Sequence, residues 1–244
     1  MMNAMEDRDH VSAALPDWGQ DRVRAPGLGA WGWRLVALFG FVPAVLVIAV
    51  VAGLDLPVAV ALLAFYALVL ALWVRSQGSR VLKSVAARPG KPGELARLEN
   101  LVRGLSSDLG IAPPDLLVTD EPGPNALVAK RSNHVVVVTA DLARDFSRTE
   151  LEAVLAHCIV RIASDQVPPT QAGLSLGPLG LGLGRLTGGP DDIVTAGVTR
   201  YPPALAIAIE KCEPRRGRFA PLWFVAEGPS HTPPERRIAD LRDL

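Results

Sequence analysis

Charge is scarce in this chain, and it favours neither sign. Charged residues make up 20% of the 244, with 25 Lys+Arg against 25 Asp+Glu. A nucleic-acid partner demands a basic excess on some face, and only short basic clusters occur, so that class is set aside. Cysteine is nearly absent: Cys158 and Cys212 are the two present, too few for a disulfide framework. Hydrophobic residues reach 49%, and they concentrate between Leu35 and Val74.

In that region charge vanishes. Leu35 to Leu54 ("LVALFGFVPAVLVIAVVAGL") and Leu56 to Val74 ("LPVAVALLAFYALVLALWV") carry no charged residue and are separated by Asp55. About 20 residues at 1.5 Å each span roughly 30 Å, the thickness of bilayer hydrocarbon. The expectation is a two-helix transmembrane hairpin over residues 31–75. Gly53 ends the first helix, Asp55 caps the second, and Pro57 sits in its first turn. Trp31, Trp33 and Trp73 fall at one end, as in an aromatic belt. Arg22, Arg24 and Arg34 precede the hairpin; Arg75, Arg80, Lys83, Arg88 and Lys91 follow it; the link has no basic residue. The positive-inside rule then places both termini in the cytoplasm of a multi-pass cell-membrane protein. Residues 1–30, polar and rich in Pro and Gly, read as a flexible cytoplasmic tail. In that compartment a Cys158–Cys212 bridge is not expected.

From Glu94 onward the pattern is that of a folded domain. Leu95, Leu98, Leu101, Val102, Leu105 and Leu109 share one helical face, and Gly110 provides the stop. Beyond Pro113-Pro114, strands are predicted at Asp115 to Asp120, in "NALVAK", and at His134 to Thr139, with a turn at Arg131-Ser132-Asn133. His134 reads as a strand-end residue. Ser147-Arg148-Thr149-Glu150 is a capping box that opens a helix. In that helix Leu151, Val154, Leu155, Cys158, Ile159 and Ile162 form an apolar stripe, and Glu150, Ala153, His157, Arg161 and Ser164 form another face. Residues 166–189, dense in Gly and Pro, read as a flexible loop. Helical patterns follow Pro190 and Pro202-Pro203, "LWFV" reads as a short strand, and the chain closes on an amphipathic helix.

The order of these pieces carries a resemblance. A hairpin, "PNALVA", "NHVVVVTADL", "SRTELEAVLAH", "PPALAIAIEKC" and "SHTPPERRIADL" follow one another as in the M48 zinc metalloproteases of the HtpX-like kind. The resemblance covers residues 92–244. It implies an α+β fold: the hairpin, then a mainly helical, zincin-like cytoplasmic domain with a small β-sheet. It also implies a zinc site. The first zinc histidine falls on His157, the general base on Cys158, and the second zinc histidine on Arg161. The third ligand falls near Pro190 or Asp191, and the following acid near Asp192. The His-Glu-x-x-His motif is therefore degenerate, and His157 is the one residual ligand.

Those exchanges change the chemistry. Histidines four apart share a helix face, about 40° apart, and so grip one ion. A guanidinium has no lone pair to give. Facing a dication at about 4 Å, it adds several kcal/mol of repulsion at an effective dielectric near 20. A thiol of pKa about 8.5 is a poor proton acceptor from zinc-bound water. His157 and Cys158, about 100° apart on the helix, do not face each other as a dyad. A site built from His157, Cys158, Cys212 and His231 has no support in the spacing. Arg161 is expected to pair with Asp165, Asp191 or Asp192 in the space of the metal. The leading expectation is a membrane-anchored pseudoprotease without cofactor, acting by binding, scaffolding or regulation. Its partners would be the bilayer and a peptide or membrane protein pairing along Asn125–Val128, should that strand keep an open edge. Two alternatives stay open: a zinc-dependent metalloendopeptidase with an atypical ligand set, and a purely structural membrane protein whose cleft is closed by side chains.

Overall fold

The computed structural model describes residues 47, 56–175, 190–228 and 231–244. The chain divides between Gln77 and Gly78 into two compact units. The first apolar run, Leu35 to Leu54, lies outside the described residues apart from Val47, as does the tail at 1–30. The second run forms the start of helix α1 (Leu56–Ser84). Up to Trp73 this helix is apolar all round, and Val60, Leu62, Phe65, Leu68 and Leu72 are exposed. Among the described residues no helix is long and apolar enough to cross a membrane.

The second unit is built on a three-stranded sheet. Its strands are β1 (Asp115–Thr119), β2 (Ala126–Lys130) and β3 (His134–Thr139), in the order β1-β3-β2. β1 runs parallel to β3 and β2 antiparallel, with Leu127 opposite Val137. Alternation along the strands sends side chains to both faces. Ala126, Val128, Val136 and Val138 enter the main core. Leu127, Ala129, Val135 and Val137 enter a second cluster with Val81, Leu82 and Val85 from the end of α1. The four consecutive valines are thus explained: both faces are buried, so both sets must be apolar. Gly78 lets α1 pass the sheet, because a side chain there would run into the Lys130 carbonyl.

Helices α2 (Ala96–Asp108), α3 (Ala140–Asp145), α4 (Arg148–Ala163), α5 (Val167–Ser175), α6 (Pro190–Thr199), α7 (Pro202–Lys211) and α8 (Pro234–Arg242) complete the described unit. The capping box at the start of α4 is formed: the Ser147 hydroxyl accepts from the Glu150 amide, and the Glu150 carboxylate accepts from the Ser147 amide. α4 is central. From Glu150 to Ile162 every residue except Glu152 is buried, so the two-face expectation gives way to a helix enclosed on all sides.

Two other expectations are corrected. The 166–189 stretch is not a loop from its start, because Val167–Ser175 is helical. Pro168 and Pro169 fall in the first turn of α5, where no intrahelical donor is required of them. The "LWFV" stretch is not a strand of the sheet. It leaves a short 3₁₀ turn (Ala220–Leu222) and touches β2 through a single antiparallel bridge, Leu127 to Trp223.

Candidate functional site

His157 projects from the middle of α4, buried. Its Nδ1 stands 3.2 Å from Oδ1 of Asp192 on α6. The contact is short but poorly aligned for a hydrogen bond. Asp192 is held from the other side by Arg237 of α8. Nε of Arg237 donates to Oδ2 at 2.6 Å and Nη2 to Oδ1 at 2.7 Å, a two-pronged grip. Nη1 of Arg237 donates to the Phe224 carbonyl at 2.8 Å. The Phe224 ring in turn meets the His157 ring edge-on, with centroids 5.0 Å apart. Four side chains from three helices and a loop thus close a ring of contacts.

The electrostatics follow from burial and pairing. Burial pushes the His157 imidazole below its ordinary pKa, and the Asp192 carboxylate only partly opposes this. The ring is therefore neutral near pH 7. Burial alone would raise the Asp192 carboxyl, but the charge and hydrogen bonds of Arg237 hold it well below the usual carboxylate range. Burial likewise pushes the Cys158 thiol up to about 12, which leaves it protonated and inert. Cys158 and Cys212 are both buried free thiols in the main core.

Arg161, one helical turn past His157, is 3% exposed. The expected acidic partner is not what holds it. Nη2 donates to the Pro221 carbonyl at 2.7 Å, and Nη1 reaches the Leu222 and Trp223 carbonyls at 3.4 and 3.5 Å. The reason is local. Arg237 already occupies Asp192, and Asp191 accepts from Gln166 at 2.8 Å. Asp165 lies past the helix end with left-handed backbone, φ 52°, so the four-residue spacing no longer brings it under Arg161. The Arg161 Nε has no hydrogen-bond partner. His157, Arg161, Asp191, Phe224 and His231 all border one cavity of about 20 Å³, room for roughly one water and not for a peptide.

These residues do not suit a zinc ion. The position four residues after His157 is filled by a guanidinium that can only donate. Among the described residues no three His, Cys, Asp or Glu stand together as a metal site. Cys158 points into the core, away from this cavity, and Cys212 does not border it either, so the structure does not assemble the set His157, Cys158, Cys212 and His231.

Several curated proteins match part of the chain. A protein named Protease HtpX homolog from Dictyoglomus turgidum is 33% identical over 139 residues, 55% of this chain and 46% of its own. One of the same name from Halobacterium salinarum is 38% identical over 93 residues, 38% of this chain and 32% of its own. Protease HtpX of Yersinia pestis is 36% identical over 105 residues, 41% and 34% of the two chains. Over the matched part, this chain is HtpX-like. It spans about half or less of the length of the curated relatives it matches. No protein-family profile matches it, and no solved structure does.

In this HtpX-like chain the resemblance placed His157, Arg161 and Asp192 in one site, and the structure brings all three to one place. Arg237 and Phe224 were not foreseen. The only trace of Arg237 in the sequence is its place in the terminal "ERRIADL", among several other arginines.

The edge at Asn125–Val128, whose openness was the condition for a pairing peptide, is covered. Antiparallel pairing turns the Ala126, Val128 and Lys130 main chain outward from the sheet. The Phe224 amide donates to the Ala126 carbonyl at 2.7 Å, and the bridge of Leu127 to Trp223 sets Val128 against Leu222. At the far end the Gln171 side chain bonds both the Lys130 amide, at 2.5 Å, and its carbonyl, at 3.2 Å. The edge is covered because an uncovered one would leave buried main-chain groups without partners.

Proposed function

We propose that this protein is a membrane-anchored HtpX-like peptidase relative that neither holds zinc nor cuts peptides, and that it works by binding or scaffolding at the cytoplasmic membrane face. One observation carries the reading: a buried arginine, bonded to three main-chain carbonyls, stands where the resemblance calls for the second zinc histidine. The neutral His157, lying against Asp192 and the Phe224 ring, and the small cavity of about 20 Å³ support it. The test is metal analysis of the full chain purified with zinc in every buffer. The expected result is below about a tenth of an ion per chain, far from the single tightly held ion of a catalytic site. One zinc per chain, lost in His157→Ala and accompanied by cleavage of an unfolded protein substrate, would establish the metalloendopeptidase instead.

The anchor is the apolar hairpin over residues 31–75. The exposed apolar side chains along α1 support it, since a helix apolar on all sides needs a non-aqueous surrounding. The basic residues flanking the hairpin put both termini in the cytoplasm. The chain is expected to stay with the membrane fraction after an alkaline carbonate wash; quantitative release into the wash would refute the anchor. A peptide or membrane-protein partner pairing along Asn125–Val128 remains part of the proposal, on the condition that residues 222–224 first leave that edge.

A further inference from the structure

Arg161 is the least expected residue of the site, and its contacts give it a role. All three of its carbonyl partners belong to residues 221–223. That stretch lies along the outer edge of β2, the edge that antiparallel pairing would otherwise offer to another strand. The arginine therefore grips a segment lying in the place of an incoming peptide.

The pairing is short. One bridge, Leu127 to Trp223, and one directed main-chain bond, Phe224 to Ala126 at 2.7 Å, join the segment to β2. Trp223 is buried and its ring receives the Arg215 guanidinium at 5.1 Å. Asn125 fastens the far end, its Nδ2 donating to the Val225 carbonyl at 2.8 Å. At the near end Arg161 is the fastening. Two of its three bonds are long, at 3.4 and 3.5 Å, and its Nε is unused. A hydrogen bond near 3.5 Å is at the limit of the interaction. Arg237 Nη1, on the Phe224 carbonyl at 2.8 Å, and the Arg215 amide, on the Val225 carbonyl at 3.1 Å, hold the far half with Asn125, so the 221–222 end depends on Arg161. The segment's direct main-chain pairing to β2 is far shorter than the ladder of five residue pairs that joins β2 to β3.

We infer that residues 221–225 are a built-in, displaceable strand ligand of β2, latched at one end by Arg161, and that releasing the latch frees this edge for an extended peptide of the same apolar, aromatic kind. Arg161 is a positioning residue here: it acts through the segment it holds. The latch stands on the contacts above. The gain of a peptide rests on the partner reading of the preceding section.

Hydrogen exchange on the full chain in detergent tests the latch. In Arg161→Met, the amides of residues 222–225 are expected to exchange at least tenfold faster, while those of β1, β3 and α4 keep their rates. Unchanged rates at 222–225 would overturn the inference, as would acceleration spread evenly over the domain. Should the Met variant fail to fold, Arg161→Lys, which keeps the charge but loses the fork, is read by the same two criteria. A fluorescent peptide with the sequence of residues 220–227 separates the two readings. Binding at least tenfold tighter to the variant than to the parent chain supports both the latch and the partner reading. Faster exchange without a gain in binding upholds the latch and removes the peptide partner.

Discussion

Replacing Arg237 by Met is expected to destabilise the protein by about 3–5 kcal/mol, the range for breaking a buried ion pair from one side. Arg237 and Asp192 are both almost wholly buried, at 7% and 4% exposed. Each is tolerable inside only because of the other. Methionine fills much the same space but leaves the Asp192 carboxylate beside a neutral imidazole and an aromatic ring, without the positive charge and the two bonds at 2.6 and 2.7 Å that Arg237 supplies. It also leaves the Phe224 carbonyl without its partner. For a domain of this size the loss corresponds to a fall in melting temperature of roughly 10 °C. The double variant Arg237→Met, Asp192→Leu should recover most of it, because no orphaned charge remains. The pH dependence has a defined sign. The folded Asp192 carboxyl is held below its unfolded value of about 4, so the pair contributes fully above that pH. Its contribution is lost as pH falls below about 4 toward the depressed folded value. The Met variant should lack this step. Thermal melts followed by circular dichroism decide it; a loss below about 1 kcal/mol, typical of exposed pairs, would mean the pair is not desolvated as drawn.

That pair also marks where reading the sequence stops working. The sheet was legible because its signals are local: four valines, a turn at Arg131-Ser132-Asn133, and two strands ending where the polar residues begin. The start of α4 was legible for the same reason, since a capping box is complete within four residues. The conjunction of His157, Arg161 and Asp192 came from the order of motifs. What they do there did not. Arg161 bonds to main-chain carbonyls 60 to 62 residues away. Every residue has a carbonyl, so nothing in the sequence marks Pro221 to Trp223 as partners. Arg237 is one of four arginines between Arg218 and Leu244, and burial alone separates it from the others. α5 was hidden by its own prolines, which stop a helix in its interior but not in its first turn. The covering of β2 by residues 222–224 was hidden because four apolar residues in a row suit a core strand and an edge cover equally.

Asn125→Ala is expected to remove about 3–5 kcal/mol, an effect out of proportion to a residue that carries no charge. Asn125 is fully buried at the mouth of β2. Its Nδ2 donates to the carbonyls of Glu213 at 2.7 Å and Val225 at 2.8 Å. Its Oδ1 accepts from the amides of Ala126 at 2.8 Å and Val225 at 3.3 Å. One side chain thus satisfies main-chain groups from three separate stretches, and each buried group left without a partner costs about 1–3 kcal/mol. Alanine satisfies none of them. Asn125→Asp separates hydrogen bonding from volume: it has the same shape, still accepts, but when ionised donates nothing and faces two carbonyls at under 3 Å. At neutral pH it should be at least as damaging as alanine. Protonation gives the carboxyl one donor, so the aspartate variant should gain stability relative to alanine as the solution is acidified. Burial among carbonyls raises the folded pKa of such a carboxyl, so this gain is present at low pH and disappears as pH rises through that value. Paired denaturant melts at two pH values measure it. If aspartate tracks alanine at every pH, the side chain contributes through packing alone. If the difference appears on acidification, Asn125 is the hydrogen-bonded knot that ties residues 213 and 225 to the sheet.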